Sequence, residues 1–281
     1  MRIALVQQHA TPDRAANVAR GLAALDHAAA AGAQLVCFAE LAFECFHPQR
    51  RAAGDVAALA ETVPGPTTEA FAARARALGV VVVLNLFERD GDHTYDCSPV
   101  LDADGRLLGH TRMVHITDYE GFHERDYYAP GDCGAPVYDT KVGRVGVAIC
   151  YDRHFPEYMR ALALGGAELV VVPQAGTVDE WPDGLYEAEM RVAAFQNGYF
   201  VALCNRVGAE EVLSFAGESF VCAPDGGVVA RARAGTDEIL FADIDLSDVA
   251  GSHARRLFWP DRRPELYAQW FTADPVRPVQ P

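Results

Sequence analysis

Apolar positions along this chain repeat first at strand spacing and then at helix spacing. Ile3 to Val6 is a short β-rich run, followed by the turn Thr11-Pro12-Asp13. Arg14 to Ala31 then carries Val18, Leu22, Leu25 and Ala29 at helical spacing until Gly32 stops it. Leu35-Val36-Cys37-Phe38 is a continuous apolar run of the kind buried in a parallel sheet. Glu69 to Leu78 repeats the helical pattern, and Val80 to Leu84 repeats the strand. Pro99 to Leu101 and Arg106 to His110 flank Asp102 to Gly105 as a hairpin.

The second half echoes the first. Val145 to Cys150 reads as a strand, Pro156 to Leu164 as a helix, and Gly166 to Pro173 as a strand. The decapeptide ending in Glu40, Ala-Gly-Ala-Gln-Leu-Val-Cys-Phe-Ala-Glu, resembles Gly-Gly-Ala-Glu-Leu-Val-Val-Val-Pro-Gln, which ends in Gln174. The match is short enough to be either a repeat or two ordinary helix-to-strand turns. Leu185 to Gln196 is a further helix and Phe200 to Leu203 a further strand. Phe220 to Cys222 and Val228 to Ala230 form a second hairpin, and Ile239 to Ile244 is the last strand. No linker or low-complexity tract divides the chain, so a single domain over residues 1–270 is expected, with 271–281 as a tail that is Pro-rich from Pro275.

Composition narrows the classes. The 281 residues suffice for a sizeable core, and 39 acidic against 24 basic residues leave a net charge of −15. Such a chain repels phosphate backbones and anionic lipid, so no nucleic-acid or membrane partner is expected. No apolar stretch reaches the ~18 residues of a membrane span. The seven cysteines include no Cys-x-x-Cys pair, and several sit in apolar runs as free thiols do in a reducing compartment. A cytoplasmic setting is expected. Cys45, His47, His123 and Cys133 lack zinc-ligand spacing, and neither metal nor cofactor is expected.

Two positions could carry chemistry. Cys150 ends an apolar strand ahead of a helix start at Pro156, where a thiolate is stabilised and where open α/β sheets bind ligands; the alternative is an inert core thiol. Glu40 follows its strand in the same manner, as a cap or salt-bridge residue or as an acid/base at the mouth of the sheet. Together they make a nucleophile and a candidate base, the pairing that acyl transfer needs.

Phe38-Ala-Glu40-Leu, Arg112-x-x-His115-Ile, Pro130-Gly-Asp132 and Gly146-Val-Ala-Ile-Cys150-Tyr-Asp152-x-x-Phe-Pro-Glu157 resemble the nitrilase superfamily of carbon–nitrogen hydrolases. The likeness continues through Asn205-Arg206-x-Gly208, Gly217-x-Ser219 and Asp261-Arg-Arg-Pro264-Glu-Leu-Tyr267. Among branches it is most similar to the N-carbamoylputrescine amidases and β-ureidopropionases. The resemblance implies an α/β fold, a four-layer α-β-β-α sandwich, usually dimerised. It also implies Glu40 as general base, Cys150 as nucleophile and Glu124 as a second glutamate. The lysine that the family places between Arg and His falls on Met113.

A thioether has neither a proton nor a charge to give. Lys141, the chain's only lysine, lies at the far end of the cysteine's strand. Arg112 adjoins the vacant position, but neighbours on a strand face opposite sides. By the same alternation His115 should share the face of Met113, and His154 follows Cys150 by four residues, which leaves a Cys–His pairing open. Tyr151, Gln174 and Trp181 are expected to line the substrate site with Met113 and His115. Its walls should come from the loops Phe43–His47, Tyr119–Tyr128 and Gly176–Tyr186. The resulting expectation is a cysteine hydrolase of a small amide or N-carbamoyl amine, working as a homodimer or larger homo-oligomer. A binding or scaffold protein without catalysis, and an enzyme of altered chemistry such as acyl transfer or a nitrile reaction, are the alternatives.

Overall fold

The computed structural model describes residues 1–271. Its first half runs β1 (Arg2–Gln7), α1 (Arg14–Ala30), β2 (Leu35–Phe38), α2 (Pro66–Leu78), β3 (Val81–Val83), β4 (Leu86–Asp90), β5 (His93–Leu101) and β6 (Leu107–Arg112). The second runs β7 (Val137–Thr140), β8 (Gly143–Val147), α3 (Pro156–Leu164), β9 (Leu169–Gln174), α4 (Leu185–Asn197) and β10 (Phe200–Asn205). There follow β11 (Val207–Ala209), β12 (Ser214–Ala216), β13 (Phe220–Cys222), β14 (Val228–Arg231), β15 (Glu238–Asp243), α5 (Ser247–Gly251) and α6 (Pro264–Phe271). Local chemistry sets the helix ends. Asp13 caps α1 by accepting from the Ala16 N–H at 3.0 Å, and Pro66 and Pro156 open α2 and α3. Gly79 closes α2 at φ 70°, a conformation that costs a side chain but not a glycine.

Both halves are strand–helix–strand–helix–strand units. In one sheet β1, β2 and β3 are parallel neighbours, extended by antiparallel β15 on one side and by β5, with β4 and β6, on the other. In the other sheet β8, β9 and β10 are parallel, flanked by antiparallel β7 and by β13 with β14. The echo between the segments ending in Glu40 and Gln174 is therefore a structural repeat: β2 and β9 are each the middle strand of their parallel trio.

Three buried clusters define four layers. Ile3, Leu5, Cys37, Val83, Val147, Val171, Ala202 and Cys204 fill the space between the two sheets. Leu25, Ala28, Phe71 and Ala75 pack α1 and α2 on the outside of the first sheet, and Tyr158, Leu162, Met190 and Ala194 pack α3 and α4 on the outside of the second. That is the expected α-β-β-α sandwich. Cys204 crosses the middle, its thiol donating to the carbonyls of Cys37 at 3.4 Å and Val6 at 3.5 Å. All seven cysteines are free. Cys37, Cys97, Cys150, Cys204 and Cys222 are buried, Cys45 is half-buried and Cys133 is exposed.

One expected strand end moves, while β2 ends at Phe38 as expected. The strand before the cysteine stops at Val147, and Cys150 opens a 3₁₀ turn, Cys150–His154, with a left-handed φ of 40°. Glu40 lies two residues past β2, and Leu41 after it has φ 44°. Each strand stops two or three residues before the site side chain, which then turns inward between the sheets. The Pro275–Pro281 stretch lies outside the described residues, as does the expected tail apart from Phe271, which ends α6.

Candidate active site

Glu40, Glu124 and Cys150 come from three separate loops and meet between the sheets. One carboxylate oxygen from each glutamate and the Cys150 sulfur lie within 4.8 Å of one another. Both glutamates are wholly buried, and Cys150 keeps 6 % of its surface. Glu40 is placed by its neighbours' backbone: the Leu41 N–H donates to Asn85 Oδ1 at 2.7 Å, and the buried Arg206 donates to the Glu40 carbonyl at 2.8 Å. Glu124 begins a 3₁₀ turn and accepts the Thr117 N–H at 3.2 Å. Gln174, ending β9, donates to the Cys150 sulfur at 3.2 Å. The repeat thus brings Glu40 and Gln174, the equivalent ends of its two halves, to the same thiol.

Three other residues join the site: Asp96 and Arg153 are not expected from the sequence, and Tyr128 ends one of the expected wall loops. Asp96, on β5 and fully buried, takes a 2.5 Å hydrogen bond from Asn85 Nδ2 and lies within side-chain hydrogen-bonding reach of Glu40. Arg153 donates to Gln174 Oε1 at 2.9 Å, pairs with Glu189 and lies 4.4 Å over the Tyr186 ring. The Tyr128 hydroxyl is buried beside Asp96, Glu40 and Glu124 with no hydrogen-bond partner. No sequence signal marked Asp96, because β5 reads His-Thr-Tyr-Asp-Cys-Ser-Pro-Val-Leu and its polar residues hide one more acid.

Among the described residues no basic side chain pairs with the Glu40, Asp96 or Glu124 carboxyl; Arg153 stands near the thiol, and Arg206 reaches Glu40 only at its carbonyl. The Arg112 side chain points the other way, donating to Glu88 at 2.8 Å, Asp90 at 2.7 Å and Asp132 at 3.1 Å, with its guanidinium 3.9 Å over the Tyr95 ring. It therefore does not replace a lysine. Lys141 is exposed between β7 and β8. Met113 is wholly buried just past β6. Its N–H donates to the Asp96 carbonyl at 2.9 Å and its carbonyl accepts from Gly131 at 2.7 Å. Gly131 belongs to the Pro-Gly-Asp motif because a Cβ there would fall 2.3 Å from the Arg112 carbonyl oxygen.

Charge follows from burial. Desolvation, then Asp96 and Glu124, push the Glu40 carboxyl well above the carboxylate range. Desolvation also raises Glu124, against the opposing Thr117 N–H, and raises Asp96 to about 7. The Cys150 thiol is pushed up by burial and by both glutamates, while Arg153 and the Ala175 N–H pull it back. Three adjoining carboxyls without a cation cannot all ionise at neutral pH.

The histidines stand apart. The backbone leaves β6 at Arg112, so strand alternation does not carry to His115. Its Nδ1 is 2.7 Å from Asp152, and its ring stacks on Phe155 at 3.5 Å. His154 Nδ1 is 2.8 Å from Glu189. Gln174, not a histidine, is the side chain hydrogen-bonded to the thiol. Asp152 also accepts the Val114 and His115 N–H groups, which ties the loop after β6 to the cysteine turn.

Of the expected walls, Phe43 packs against Phe38 and Phe71 on the outer face, and Phe46 against Phe122 and Phe215. Both are core. The Gly176–Tyr186 segment does line space: Tyr151, Trp181 and Tyr186 border one cavity of about 550 Å³. Trp181 and Tyr186 also border a second cavity of about 550 Å³, rimmed by Asp179, Glu180, Asp183, Glu187 and Glu218, with Arg231 its one basic side chain. Glu180 there accepts from the Tyr119 hydroxyl at 2.6 Å and from Tyr186. Among the described residues, the one group of three donors that could hold a metal ion is Glu40, Glu124 and Cys150 itself.

The sequence matches the family model for carbon-nitrogen hydrolases over residues 2–254. The chain belongs to that family. It is 34% identical over 292 residues to N-carbamoylputrescine amidase of Solanum lycopersicum, covering 99% of this chain and 97% of that one. A carbon-nitrogen hydrolase from Helicobacter pylori G27 superposes with a TM-score of 0.90 at 29% identity, covering 97% and 98% of the two chains. An amidase variant from Nesterenkonia sp. AN1 matches with a TM-score of 0.81 at 28% identity over 96% of both chains; its structure shows covalent addition of the acetamide moiety of fluoroacetamide at the active site cysteine. The protein is thus a hydrolase-family enzyme of amidase type, and Cys150 fits the nucleophile.

Proposed function

We infer that the protein hydrolyses a small N-carbamoyl amine or ω-amide through a thioester on Cys150, in one domain spanning residues 1–270. The observation that carries this reading is the convergence of Glu40, Glu124 and Gln174 on one thiol between the sheets. Glu40 takes the Sγ proton, and the thiolate attacks the carbonyl carbon as the π pair moves to oxygen. A protonated Glu124 donates a hydrogen bond to that oxyanion, the part a lysine ammonium would otherwise take. The C–N bond then breaks, the amine leaves with the proton from Glu40, and water deprotonated by Glu40 attacks the thioester and releases the thiol.

The second cavity bordered by Trp181 and Tyr186, which Cys150 does not line, keeps Asp179, Glu180 and Asp183 beyond the acids paired with Arg231 and suits a substrate's ammonium end, as the name of the N-carbamoylputrescine amidase relative also suggests. The exposed Leu164, Leu185 and Val192 on α3 and α4, with Trp270 and Phe271 on α6, support a homodimer that covers this helical face. The free, buried thiols suit the cytoplasm.

Ammonia release from a panel of N-carbamoyl amines, ω-amides and nitriles tests the reading, with wild type beside Cys150→Ala. Turnover of a cationic carbamoyl amine, lost in Cys150→Ala, is expected. So is iodoacetamide labelling of Cys150 ahead of the exposed Cys133. No turnover together with an inert Cys150 would sink the amidase reading and leave the scaffold reading.

A further inference from the structure

The donors that meet between the sheets are a thiol and two carboxyls, and none of the three is saturated. A carboxylate oxygen of Glu40, one of Glu124 and the Cys150 sulfur lie within 4.8 Å of one another. Glu40 is wholly buried, yet neither of its oxygens accepts a hydrogen bond among the described residues. Glu124 uses Oε2 for the Thr117 N–H at 3.2 Å, while its Oε1 is sealed without a partner. Asp96 Oδ2 and the Tyr128 hydroxyl, beside the same carboxyls, are orphaned in the same way. Buried lone pairs left unmatched are costly, and several that converge point to a positive ion. A proton serves two oxygens at most, whereas one metal ion serves all three donors at once.

The surroundings hold these donors as the outer groups of a metal site do. The Gln174 amide N–H lies 3.2 Å from the Cys150 sulfur, and Arg153 fixes that amide by donating to its Oε1 at 2.9 Å. Asn85 donates to Asp96 Oδ1 at 2.5 Å and accepts the Leu41 N–H next to Glu40 at 2.7 Å. The Arg153 guanidinium is itself taken up by Gln174, Glu189 and the Tyr186 ring, and it pairs with none of the three carboxyls. The sequence does not advertise such a site, because its donors come from three loops far apart in the chain rather than from a short zinc-ligand spacing.

One sulfur with two carboxylate oxygens also selects the metal. Mg²⁺ and Ca²⁺ take oxygen donors, whereas Zn²⁺ accepts thiolate and carboxylate together. Zn²⁺ bonds are about 2.3 Å to sulfur and about 2.1 Å to oxygen, so the donors would draw in by about an ångström around it. We propose that the active site is also a zinc site, in which Glu40, Glu124 and Cys150 ligate one Zn²⁺ and the bound ion shuts the hydrolase off. On binding, the Cys150 S–H bond breaks, an S–Zn bond forms and the proton passes to solvent, with no change of oxidation state. The fourth position goes to water, as in other sites with three protein ligands. The site stands on the donors alone. That it silences the enzyme rests on the amidase reading, because the ion takes the nucleophile's lone pair and the base together.

The test starts from protein dialysed against EDTA and titrated with ZnCl₂ and, as a spectroscopic stand-in, with CoCl₂. Wild type should take up one tight equivalent of Zn²⁺ in calorimetry, and with Co²⁺ it should show a sulfur-to-cobalt charge-transfer band in the near ultraviolet. Cys150→Ala should lose the band. Glu124→Gln, which keeps the thiol and the side-chain shape, should weaken the tight equivalent by at least about tenfold. Replacing the exposed Cys133 by alanine should change neither. No band in wild type, a band that survives Cys150→Ala or is abolished by Cys133→Ala, or wild-type affinity in Glu124→Gln overturns the site. Circular dichroism establishes that each variant is folded, and Glu124→Gln carries the test if Cys150→Ala is not. In the ammonia assay one equivalent of Zn²⁺ should stop turnover and EDTA should restore it; full turnover with the site filled overturns the inhibition. If no substrate is turned over, the amidase reading fails while the two titrations still decide the site.

Discussion

On one side of the end of β6, Arg112 meets Glu88, Asp90 and Asp132; on the other, the carboxyls of Asp96, Glu40 and Glu124 pair with no basic side chain among the described residues. Both regions gather three acids. In the first a guanidinium supplies the counter-charge and is raised further by its partners, and the ion pairs hold β4, β6 and the loop before β7 together. In the second, protons supply the neutrality, and protons can be moved. A region balanced by a fixed cation is a brace, whereas one balanced by protons can perform acid–base chemistry.

The largest effect should come from breaking the brace. Arg112→Met leaves Glu88, with only 2 % of its side chain exposed, as a buried anion without its partner, and should destabilise the fold by about 3–5 kcal/mol in urea unfolding. Met113→Lys sharpens the contrast from the other side by giving the proton-balanced pocket a cation. Carboxyls around it favour the charged lysine, and the rate near pH 9 should rise by about 10²-fold as an oxyanion donor returns. A Met113→Lys profile that still falls with rising pH would contradict this account of the pocket.

Stability should also carry the signature of proton balance. The carboxyls of Glu40, Asp96 and Glu124 bind protons more tightly folded than unfolded, so the folded state holds more protons above the unfolded pKa of about 4. Their contribution is full below that pH and is lost as pH rises through the folded values. Unfolding free energy should thus fall by about 2 kcal/mol between pH 5.5 and 8, and fall less in Asp96→Asn. The smallest effect belongs to the rim of the brace. Asp90 and Asp132 have side chains 64% and 66% exposed, and Asp90→Asn should change stability by less than about 1 kcal/mol.

The sequence made the layers legible because buried parallel strands such as Leu35–Phe38 and Leu169–Gln174 are unbroken apolar runs, and the repeat could be noticed from two matching decapeptides. It also marked Cys150 and Glu40 as candidates, since both stand just past the ends of such runs, and the fold brings them together. The facing of side chains was less accessible. Strand alternation fails once the backbone leaves β6 at Arg112, which is why His115 joins Asp152 and Phe155 rather than the thiol. The Asp96–Glu40 relation was hidden for another reason: the two residues lie far apart in the chain, and Asn85, which orients both, has no unusual neighbours to advertise it.

The burial of the thiols gives the protein an internal clock for its own opening. Cys133 is exposed and Cys45 half-buried, while Cys37 and Cys204 are sealed between the sheets and Cys222 lies beneath α4. A thiol reagent should therefore modify Cys133 at the rate of the free side chain, and Cys37 and Cys204 only when the two sheets part. With Cys150 first blocked by iodoacetamide, the slow modification of that central pair measures how often the sandwich separates. Mass analysis of each cysteine then times the reagent's arrival layer by layer, with no cysteine introduced into the protein.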